Sequence, residues 1–315
     1  MPTTPLKFAA IDIGSNAVRL LFCNVFRHNG VPVFKKYDLI RIPIRLGEDS
    51  FLHHYISESK SRDLLKTMQA FKLLMEVEQP VAYRACATSA MRDATNGQEV
   101  IEAIRQRAGI TIEIIDGSTE AQLIYQNHIE EHLDKNKSYL YVDVGGGSTE
   151  LTLFSNKKHI FSRSFNIGTV RVLHNRVSKE QWKDFAAWIK ENTKKYSPLI
   201  AIGSGGNINK LFKMSGKKDG KYLTLPKLHE LADSITQYTL QQRIETLGLK
   251  PDRADVIIPA VTIYQTVMKN ADISKMLVPQ IGLSDGIVHD LYEQYTSGNK
   301  VFSAFAQDRT ASQHT

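Results

Sequence analysis

Two acidic, glycine-rich segments have residue types and spacing that could bind phosphate. The first is Asp12-Ile13-Gly14-Ser15-Asn16, and the second is Asp143-Val144-Gly145-Gly146-Gly147-Ser148-Thr149-Glu150. Glycine lets the backbone approach a ligand closely and point several N–H groups at one anion. The acidic residues would repel a phosphate unless a divalent cation lay between them. The second segment therefore predicts a cation-dependent phosphate loop. Taken alone, the first segment is typical of a turn. Taken together with the second, it predicts a phosphate loop that opposes the second one.

Two further side chains could contribute to the chemistry. Glu120, in Asp116-Gly117-Ser118-Thr119-Glu120-Ala121, falls in the first turn of a predicted helix. It could be a general base or simply a carboxylate that the helix dipole stabilises, and the residues alone favour the second reading. Arg92 follows a predicted strand, where α/β proteins place ligand contacts, and arginine can hold phosphate oxygens through two parallel hydrogen bonds. A surface salt bridge is an equally good interpretation of Arg92.

A third pattern, His128-Ile129-Glu130-Glu131-His132, matches the H-x-x-E-H spacing of inverted zinc peptidases. No helix with a clear third ligand follows it, and the pattern arises readily by chance in a charged helix. We interpret it as a coincidence.

The elements around these residues occur twice. Strands are predicted over residues 8–13, 18–26 and 31–44 as an antiparallel meander. Helices over 57–77 and 96–108 and strands over 81–86 and 111–115 follow. The middle of the chain repeats this order, since residues 140–147, LYVDVGGG, echo residues 9–16, AAIDIGSN. Later predicted elements are helices over 179–196, 226–238, 239–247 and 254–269, a strand over 199–202 that leads into a glycine turn, and a strand over 275–281 before the final helix. Two strand-Asp-x-Gly starts 131 residues apart predict two similar α/β domains with a cleft between them. Domain I is predicted as 1–125, completed by a C-terminal helix in 286–315, and domain II as 126–285.

Composition fits a globular protein, with 42% hydrophobic and 23% charged residues in a chain of 315. Apolar stretches are too short to cross a bilayer, no signal-peptide pattern is present, and there are only two cysteines. These features predict a cytoplasmic protein that does not enter a membrane. Residues 155–221 hold 15 Lys and Arg against 4 Asp and Glu, an excess of 11. This could be a solvated surface or a positive field for a polyanion. No specific nucleic-acid partner is expected.

The sequence resembles the exopolyphosphatase and guanosine pentaphosphate phosphohydrolase (Ppx/GppA) family, within the actin, sugar kinase and Hsp70 superfamily. The resemblance rests on DIGSNAVRL at 12–20, ATSAMRDATNG at 87–97, IIDGSTEAQLIY at 114–125 and VDVGGGSTEL at 142–151. Weaker matches are FNIGTVRV at 165–172, AIGSGGN at 201–207 and RADVIIPA at 253–260. These segments span most of the chain in family order.

The resemblance implies two actin-like domains and hydrolysis of a terminal phosphoanhydride bond, with polyphosphate or guanosine pentaphosphate as substrate. Glu120 would be the base that activates water, and Arg92 would stabilise charge near the attacked phosphorus. Asp143 and Glu150, with Asp12, would hold Mg²⁺ or Mn²⁺. Phosphates would be cradled by the two glycine segments: Gly14, Ser15, Asn16, Gly145, Gly146, Gly147 and Ser148. The family also suggests a homodimer.

Departures from the family pattern leave the substrate open. The chain resembles the short, two-domain form, whereas longer members carry a further helical C-terminal region. Gly282-Leu283-Ser284-Asp285-Gly286 stands where many relatives have Arg-Glu before the glycine, and Gly205-Gly206-Asn207 replaces Gly-Gly-Thr. Two other functions compete with hydrolysis: a kinase or ATPase of the same superfamily, and a sensor that binds (p)ppGpp or another nucleotide with little turnover.

Overall fold

The computed structural model describes residues 4–125, 134, 136–218 and 220–298. They form two compact units. The first comprises the described residues up to Asp116 together with those from Leu283 onward, and the second is Gly117–Gly282. The sequence analysis predicted the divisions between residues 125 and 126 and between residues 285 and 286. The first division falls earlier because the helix that begins at Gly117 packs on strands of the second unit.

The sheet of the first unit has the strand order β3-β2-β1-β4-β5. The predicted meander is confirmed, since β1, β2 and β3 pair antiparallel, while β4 and β5 run parallel to β1. The strands are β1 (Leu6–Ile13), β2 (Val18–His28), β3 (Val31–Ile42), β4 (Ala82–Ala87) and β5 (Glu113–Ile114). The helices are α1 (Leu46–His53), α2 (Glu58–Glu78), α3 (Ser89–Asp93) and α4 (Gly97–Ala108).

The second unit repeats this topology. Its strand order, β10-β11-β9-β6-β7-β8, again has an antiparallel meander followed by parallel strands, with one short strand added at the far edge. The strands are β6 (Ser138–Val144), β7 (Thr149–Ser155), β8 (Lys158–Phe165), β9 (Leu199–Ser204), β10 (Leu223–Thr224) and β11 (Lys275–Leu277). The shared order confirms the internal repeat predicted from the two strand-Asp-x-Gly motifs.

Helices of the second unit pack on its sheet and on one another. They are α5 (Gly117–Tyr125), α6 (Thr169–Leu173), α7 (Lys179–Thr193), α8 (Gly206–Met214), α9 (Leu225–Thr236), α10 (Leu240–Glu245), α11 (Pro251–Ala254) and α12 (Ile257–Asn270). Local signals fix several of their starts. Ser178 and Gln181 form a reciprocal capping box at α7, and Pro226 occupies the first turn of α9.

The final helix, α13 (Leu283–Thr296), belongs to the first unit and packs on β1, β2 and β4. Tyr292 meets Phe8 edge to face at 6.0 Å between ring centroids. Asp290 accepts a hydrogen bond from Arg84 at 2.5 Å. Because Phe8 is fully buried and Asp290 is 9% exposed, the contact joins an apolar core to a shielded ion pair.

Several predictions of secondary structure need correction. Helices α1, α3, α6, α8 and α11 were not predicted. The glycine turn expected after the strand at 199–202 leads directly into α8. The strand expected over 275–281 stops at Leu277, because Pro279 has no backbone N–H to give to a sheet. The H-x-x-E-H pattern at 128–132 lies outside the described residues. Along the part of the chain that the structure describes, no helix has both the length and the apolar character needed to cross a bilayer.

Candidate active site

The glycine segment of the second unit is a tight turn that joins β6 to β7. The Gly145 amide donates to the Ser148 carbonyl at 3.0 Å, which closes the turn. Ser148 is buried, with 2% of its surface exposed. The Gly145 amide is therefore already engaged, so a phosphate at this turn would be held by the amides that follow it.

Hydrogen bonds from the start of α6 hold this turn in place. The Gly145 and Gly146 carbonyls accept hydrogen bonds from the Thr169 and Val170 amides at 3.0 and 2.9 Å. Arg171 Nε donates to the Gly147 carbonyl at 2.8 Å. The turn is thus held on its carbonyl side, which leaves its opposite side to face a ligand.

Gly168 explains how α6 comes so close to the turn. A Cβ on Gly168 would lie 2.4 Å from the Gly146 carbonyl oxygen and 2.4 Å from the Gly147 carbonyl carbon. Both are backbone atoms, so the contact cannot be relieved by a rotamer change. Glycine is therefore required where the two backbones meet.

We expect Gly168→Ala to displace the turn and to lower any turnover that depends on it by ~10²-fold, since a misplacement of about 1 Å can cost that much. The melting temperature should fall as well. Gly282→Ala is the matched control, because its Cβ would meet nothing closer than 3.9 Å. Phosphate release and thermal unfolding of both variants provide the measurement. Equal behaviour of the two would contradict this account of the turn.

The first unit builds its turn in the same way. The Gly14 amide donates to the Ala17 carbonyl at 3.1 Å, and the Ser15 carbonyl accepts from the Gly47 amide at 2.8 Å. Arg45, in left-handed conformation with φ 59°, gives its amide to the Asn16 carbonyl at 3.2 Å. Amides near the start of α1 thus bond to carbonyls of the turn in the first unit, as amides at the start of α6 do in the second unit. The repeat extends beyond the motifs that revealed it.

The Ser15 side chain points into its own unit. It is 3% exposed, and its hydroxyl meets the Ser89 hydroxyl at 2.9 Å. Ser89 is the first residue of α3, so this contact ties the turn to the segment that carries Arg92. A role for the Ser15 side chain in phosphate binding stays a prediction.

Asp143 and Glu150 are direct partners across β6 and β7. Residues paired in this way share one face of a sheet, and like charges placed so destabilise it unless they are compensated. Glu150 is 2% exposed and accepts a hydrogen bond from Ser164 Oγ at 2.8 Å. The carboxylates of Asp143 and Glu150, on either side of the glycine turn, form a donor set suited to a divalent cation.

Asp12 occupies the position in the first unit that corresponds to Asp143, but its cross-strand partner is Arg19. Arg19 Nη1 lies 2.7 Å from Asp12 Oδ2, and the carboxylate is almost fully buried. The guanidinium supplies the counter-charge that a cation would otherwise supply. The sequence motif includes Arg19, but the pairing was not foreseen.

Backbone atoms and a phenol surround Asp143 on the side of β9. Gly205, with φ +108°, comes so close that a Cβ there would lie 3.3 Å from Asp143 Oδ1. Gly205 is also the N-cap of α8, so the positive end of that helix lies beside Asp143. Tyr264 donates to the Ser204 carbonyl. Burial, with Asp143 nearby, raises the pKa of Tyr264 well above its usual value, so it remains a neutral donor.

Glu120 is 9% exposed and lies in the first turn of α5. The helix begins at Gly117, which abuts β8: a Cβ on Gly117 would lie 2.7 Å from the Ser164 Cβ. Ser164 in turn bonds Glu150. The second unit thus packs the helix that carries Glu120 on β8 and β7, and β7 carries Glu150 and pairs with β6, the strand of Asp143.

Arg92 forms a hydrogen bond with the backbone just before α5. Its Nη1 donates to the Ile115 carbonyl at 2.7 Å, one residue after β5 ends. This bond is not the surface salt bridge that the sequence also allowed, because its acceptor is a backbone carbonyl. Charge stabilisation at phosphorus stays a prediction for this residue.

The two cysteines offer no nucleophile. Cys23 and Cys86 are buried and unpaired with each other. Burial raises the pKa of each thiol to about 12, so both remain protonated near neutral pH. Catalysis through a thiolate is therefore not an option for either residue.

The candidate metal ligands divide between the units. Asp143 and Glu150 lie together in the second, whereas Asp12 belongs to the first. Among the described residues, no group of three or more His, Cys, Asp or Glu side chains is arranged to hold a metal. Two carboxylates still fit Mg²⁺, because this ion commonly takes one or two carboxylates and completes its shell with water and substrate phosphates.

A family model places these motifs in context. The model of the Ppx/GppA phosphatase family matches residues 38–295. The chain belongs to the Ppx/GppA phosphatase family. Membership confirms the family expected from the motifs at residues 87–97, 114–125 and 142–151.

A bifunctional 3-dehydroquinate synthase/phosphatase from Fusobacterium nucleatum is 30% identical to this Ppx/GppA chain over 286 residues. The match covers 82% of this chain but only 43% of that protein, so the chain spans less than half the length of this relative.

Solved Ppx/GppA structures share the fold. An exopolyphosphatase from Cytophaga hutchinsonii superposes with a TM-score of 0.79 at 23% identity, covering 93% of this chain and 99% of that one. The Aquifex aeolicus family member gives a TM-score of 0.72 at 22% identity, covering 94% and 100%. The predicted α/β fold of two actin-like domains is confirmed.

Proposed function

We propose that the protein is a hydrolase that releases the terminal phosphate of inorganic polyphosphate or of guanosine pentaphosphate. One arrangement supports the proposal. A buried acid, Glu120, lies on a helix that packs on the strand of Glu150, and Glu150 pairs across the strands with Asp143 beside a glycine turn. Phosphoryl transfer requires mainly positioning and charge stabilisation rather than covalent chemistry. This combination of base, carboxylate pair and turn meets those requirements.

In the proposed reaction, Glu120 accepts the proton of the attacking water as the general base. The amides of Gly146 and Gly147 bind the oxygens of the transferred phosphate, and Arg92 stabilises charge near phosphorus. Asp143 and Glu150 would hold Mg²⁺, or Mn²⁺ in its place. When bound, this cation supplies positive charge that offsets the negative charge of the phosphates.

The first unit would contribute binding rather than proton transfer. Its turn at residues 14–16 has the same backbone bonding as the turn of the second unit. Beside it stands the Asp12–Arg19 pair, whose guanidinium has further N–H donors to offer a phosphate. The homodimer implied by the family resemblance and the cytoplasmic location expected from the sequence features also stay predictions.

A parallel assay of phosphate release tests the proposal. Long-chain polyphosphate, tripolyphosphate, guanosine pentaphosphate and ATP would each be incubated with the protein and Mg²⁺, and phosphate measured with malachite green. We expect release from polyphosphate or guanosine pentaphosphate to exceed release from ATP. The substrate with the highest kcat/KM then identifies the preferred anhydride.

Two other outcomes would contradict the proposal. Preferential hydrolysis of ATP would indicate an ATPase of the same superfamily. No release from any substrate, by protein that still binds guanosine pentaphosphate in calorimetry, would indicate a nucleotide sensor. Glu120→Gln should be assayed beside the wild-type protein to exclude a contaminating phosphatase.

A further inference from the structure

Ser164 contacts two separate parts of the candidate active site. It lies on β8, directly across from Glu150 on β7, and its Oγ donates to Glu150 Oε1 at 2.8 Å. Glu150 is 2% exposed, whereas Ser164 itself lies at the surface of the edge strand. A hydroxyl proton given to one carboxylate oxygen fixes the rotation of the carboxylate and so the direction of its other oxygen.

The second contact of Ser164 is with the first residue of α5. A Cβ on Gly117 would lie 2.7 Å from Ser164 Cβ and 2.9 Å from Ser164 Oγ. Real Cβ atoms do not come this close, so the glycine is what allows the helix to start against Ser164. Because Glu120 sits in the first turn of that helix, the contact with Ser164 sets where Glu120 is placed.

We propose that Ser164 is a positioning residue that holds Glu150 in the orientation that binds a divalent cation and fixes the start of the helix that carries Glu120. The proposal rests on the proposed function of Glu120 and Glu150. It adds a residue that lies in none of the glycine or acidic motifs and acts through its neighbours rather than on substrate.

The chain offers a matched control two residues away. Ser162 is also exposed on β8, and its hydroxyl meets the Thr152 hydroxyl at 2.9 Å. Residues two apart on a strand share a face, so Ser162→Ala removes the same group from the same face without touching Glu150. Any general effect of losing a serine from this edge strand will appear in both variants.

The first experiment measures cation binding without turnover. Mn²⁺ affinity of the full chain would be determined by electron paramagnetic resonance for the wild type, Ser164→Ala and Ser162→Ala, with melting temperatures recorded alongside. Loss of a partner that orients a metal ligand typically costs ~10–100-fold in affinity. We expect Ser164→Ala to weaken Mn²⁺ binding by about that factor, and Ser162→Ala to bind as the wild type does.

The second experiment tests the contact with the helix through a double-mutant cycle. Gly117→Ala should lower kcat in the wild-type background, because its methyl group collides with Ser164. In a Ser164→Gly background the space is open, so the same Gly117→Ala change should have little further effect. Such dependence of one substitution on the other is the signature of direct coupling.

The outcomes separate the two proposals. If the wild type hydrolyses phosphoanhydrides and binds Mn²⁺, but Ser164→Ala matches Ser162→Ala in Mn²⁺ affinity, the role of Ser164 is overturned and the proposed function stands. Equal effects of Gly117→Ala in both backgrounds would overturn the placement of the helix by Ser164. A wild type that neither binds Mn²⁺ nor releases phosphate would overturn both proposals.

Discussion

Replacing Glu120 by glutamine should lower kcat by ~10²–10⁴-fold, the usual contribution of general acid–base catalysis. The amide keeps the size and polarity of the carboxylate but cannot accept a proton from water. The turns at residues 14–16 and 145–148 are untouched, so substrate should still bind. Its affinity should even rise slightly, because one negative charge near a polyanion is removed. Steady-state kinetics and calorimetric binding of the preferred substrate measure the two quantities separately.

Glu99→Gln is the control for the competing interpretation of Glu120. Glu99 also lies in the first turn of a helix, α4, but at the exposed surface of the first unit. Loss of a favourable helix-dipole contact costs ~0.3–1 kcal/mol of stability at an exposed site and should leave turnover unchanged. If Glu120→Gln behaves like Glu99→Gln, with normal kcat and a lower melting temperature, Glu120 is not the base.

Much of the fold could be predicted because its strongest signals are local. The buried strands at β1 and β6 are runs of apolar residues that end in Asp, a β-branched residue and glycine, so the repeat was visible in the sequence. Long helical patterns, such as that of α7, predicted over 179–196, were also recognisable. Their bounds differ from prediction by only a few residues.

The missed helices are short, and tertiary contacts fix them. The start of α6 is set by hydrogen bonds from Thr169 and Val170 to a distant turn, and the approach requires Gly168. Helix α1 follows Arg45, a non-glycine residue with positive φ, which local propensity disfavours. No periodic pattern of five or eight residues can reveal contacts with a turn that lies elsewhere in the chain.

Ser164 illustrates the same limit for the candidate site. A serine on an edge strand is unremarkable in sequence, and its significance comes from the register that sets it opposite Glu150. The motifs at residues 12–16 and 143–150 were recognisable because they are contiguous. The contact between Gly117 and Ser164 joins segments 47 residues apart and depends on how α5 packs on β8.

Register also separates two aspartates that look equivalent in sequence. Asp12 and Asp143 end corresponding strands, yet the residue across from Asp12 is Arg19 and the residue across from Asp143 is Glu150. One position is therefore internally neutralised, whereas the other joins two negative charges. Under the proposed function, we therefore expect the cation to bind in the second unit and Asp12 to hold the Arg19 guanidinium; the role of Asp12 as a metal ligand stays a prediction.

The matched substitutions Asp143→Asn and Asp12→Asn test this assignment. Wild-type activity should vanish in excess EDTA and return with Mg²⁺ or Mn²⁺. Asp143→Asn removes a carboxylate from the cation pair, so the Mg²⁺ concentration for half-maximal activity should rise at least tenfold, as for loss of a ligand or of its orienting partner. Asp12→Asn should leave that concentration unchanged. It should instead alter KM and lower the melting temperature, because the charge of Arg19 loses its buried partner.

Titrations of activity with Mg²⁺, at saturating substrate, compare the two variants directly. Full activity of the wild type in excess EDTA would remove the cation from the mechanism altogether. An equal rise in the Mg²⁺ requirement for both variants would restore Asp12 as a third ligand, despite its bond to Arg19. The expected difference between the variants follows from one position in each repeat. Across from the aspartate stands an arginine in the first unit and a glutamate in the second, and under the proposed function only the carboxylate pair would hold the cation.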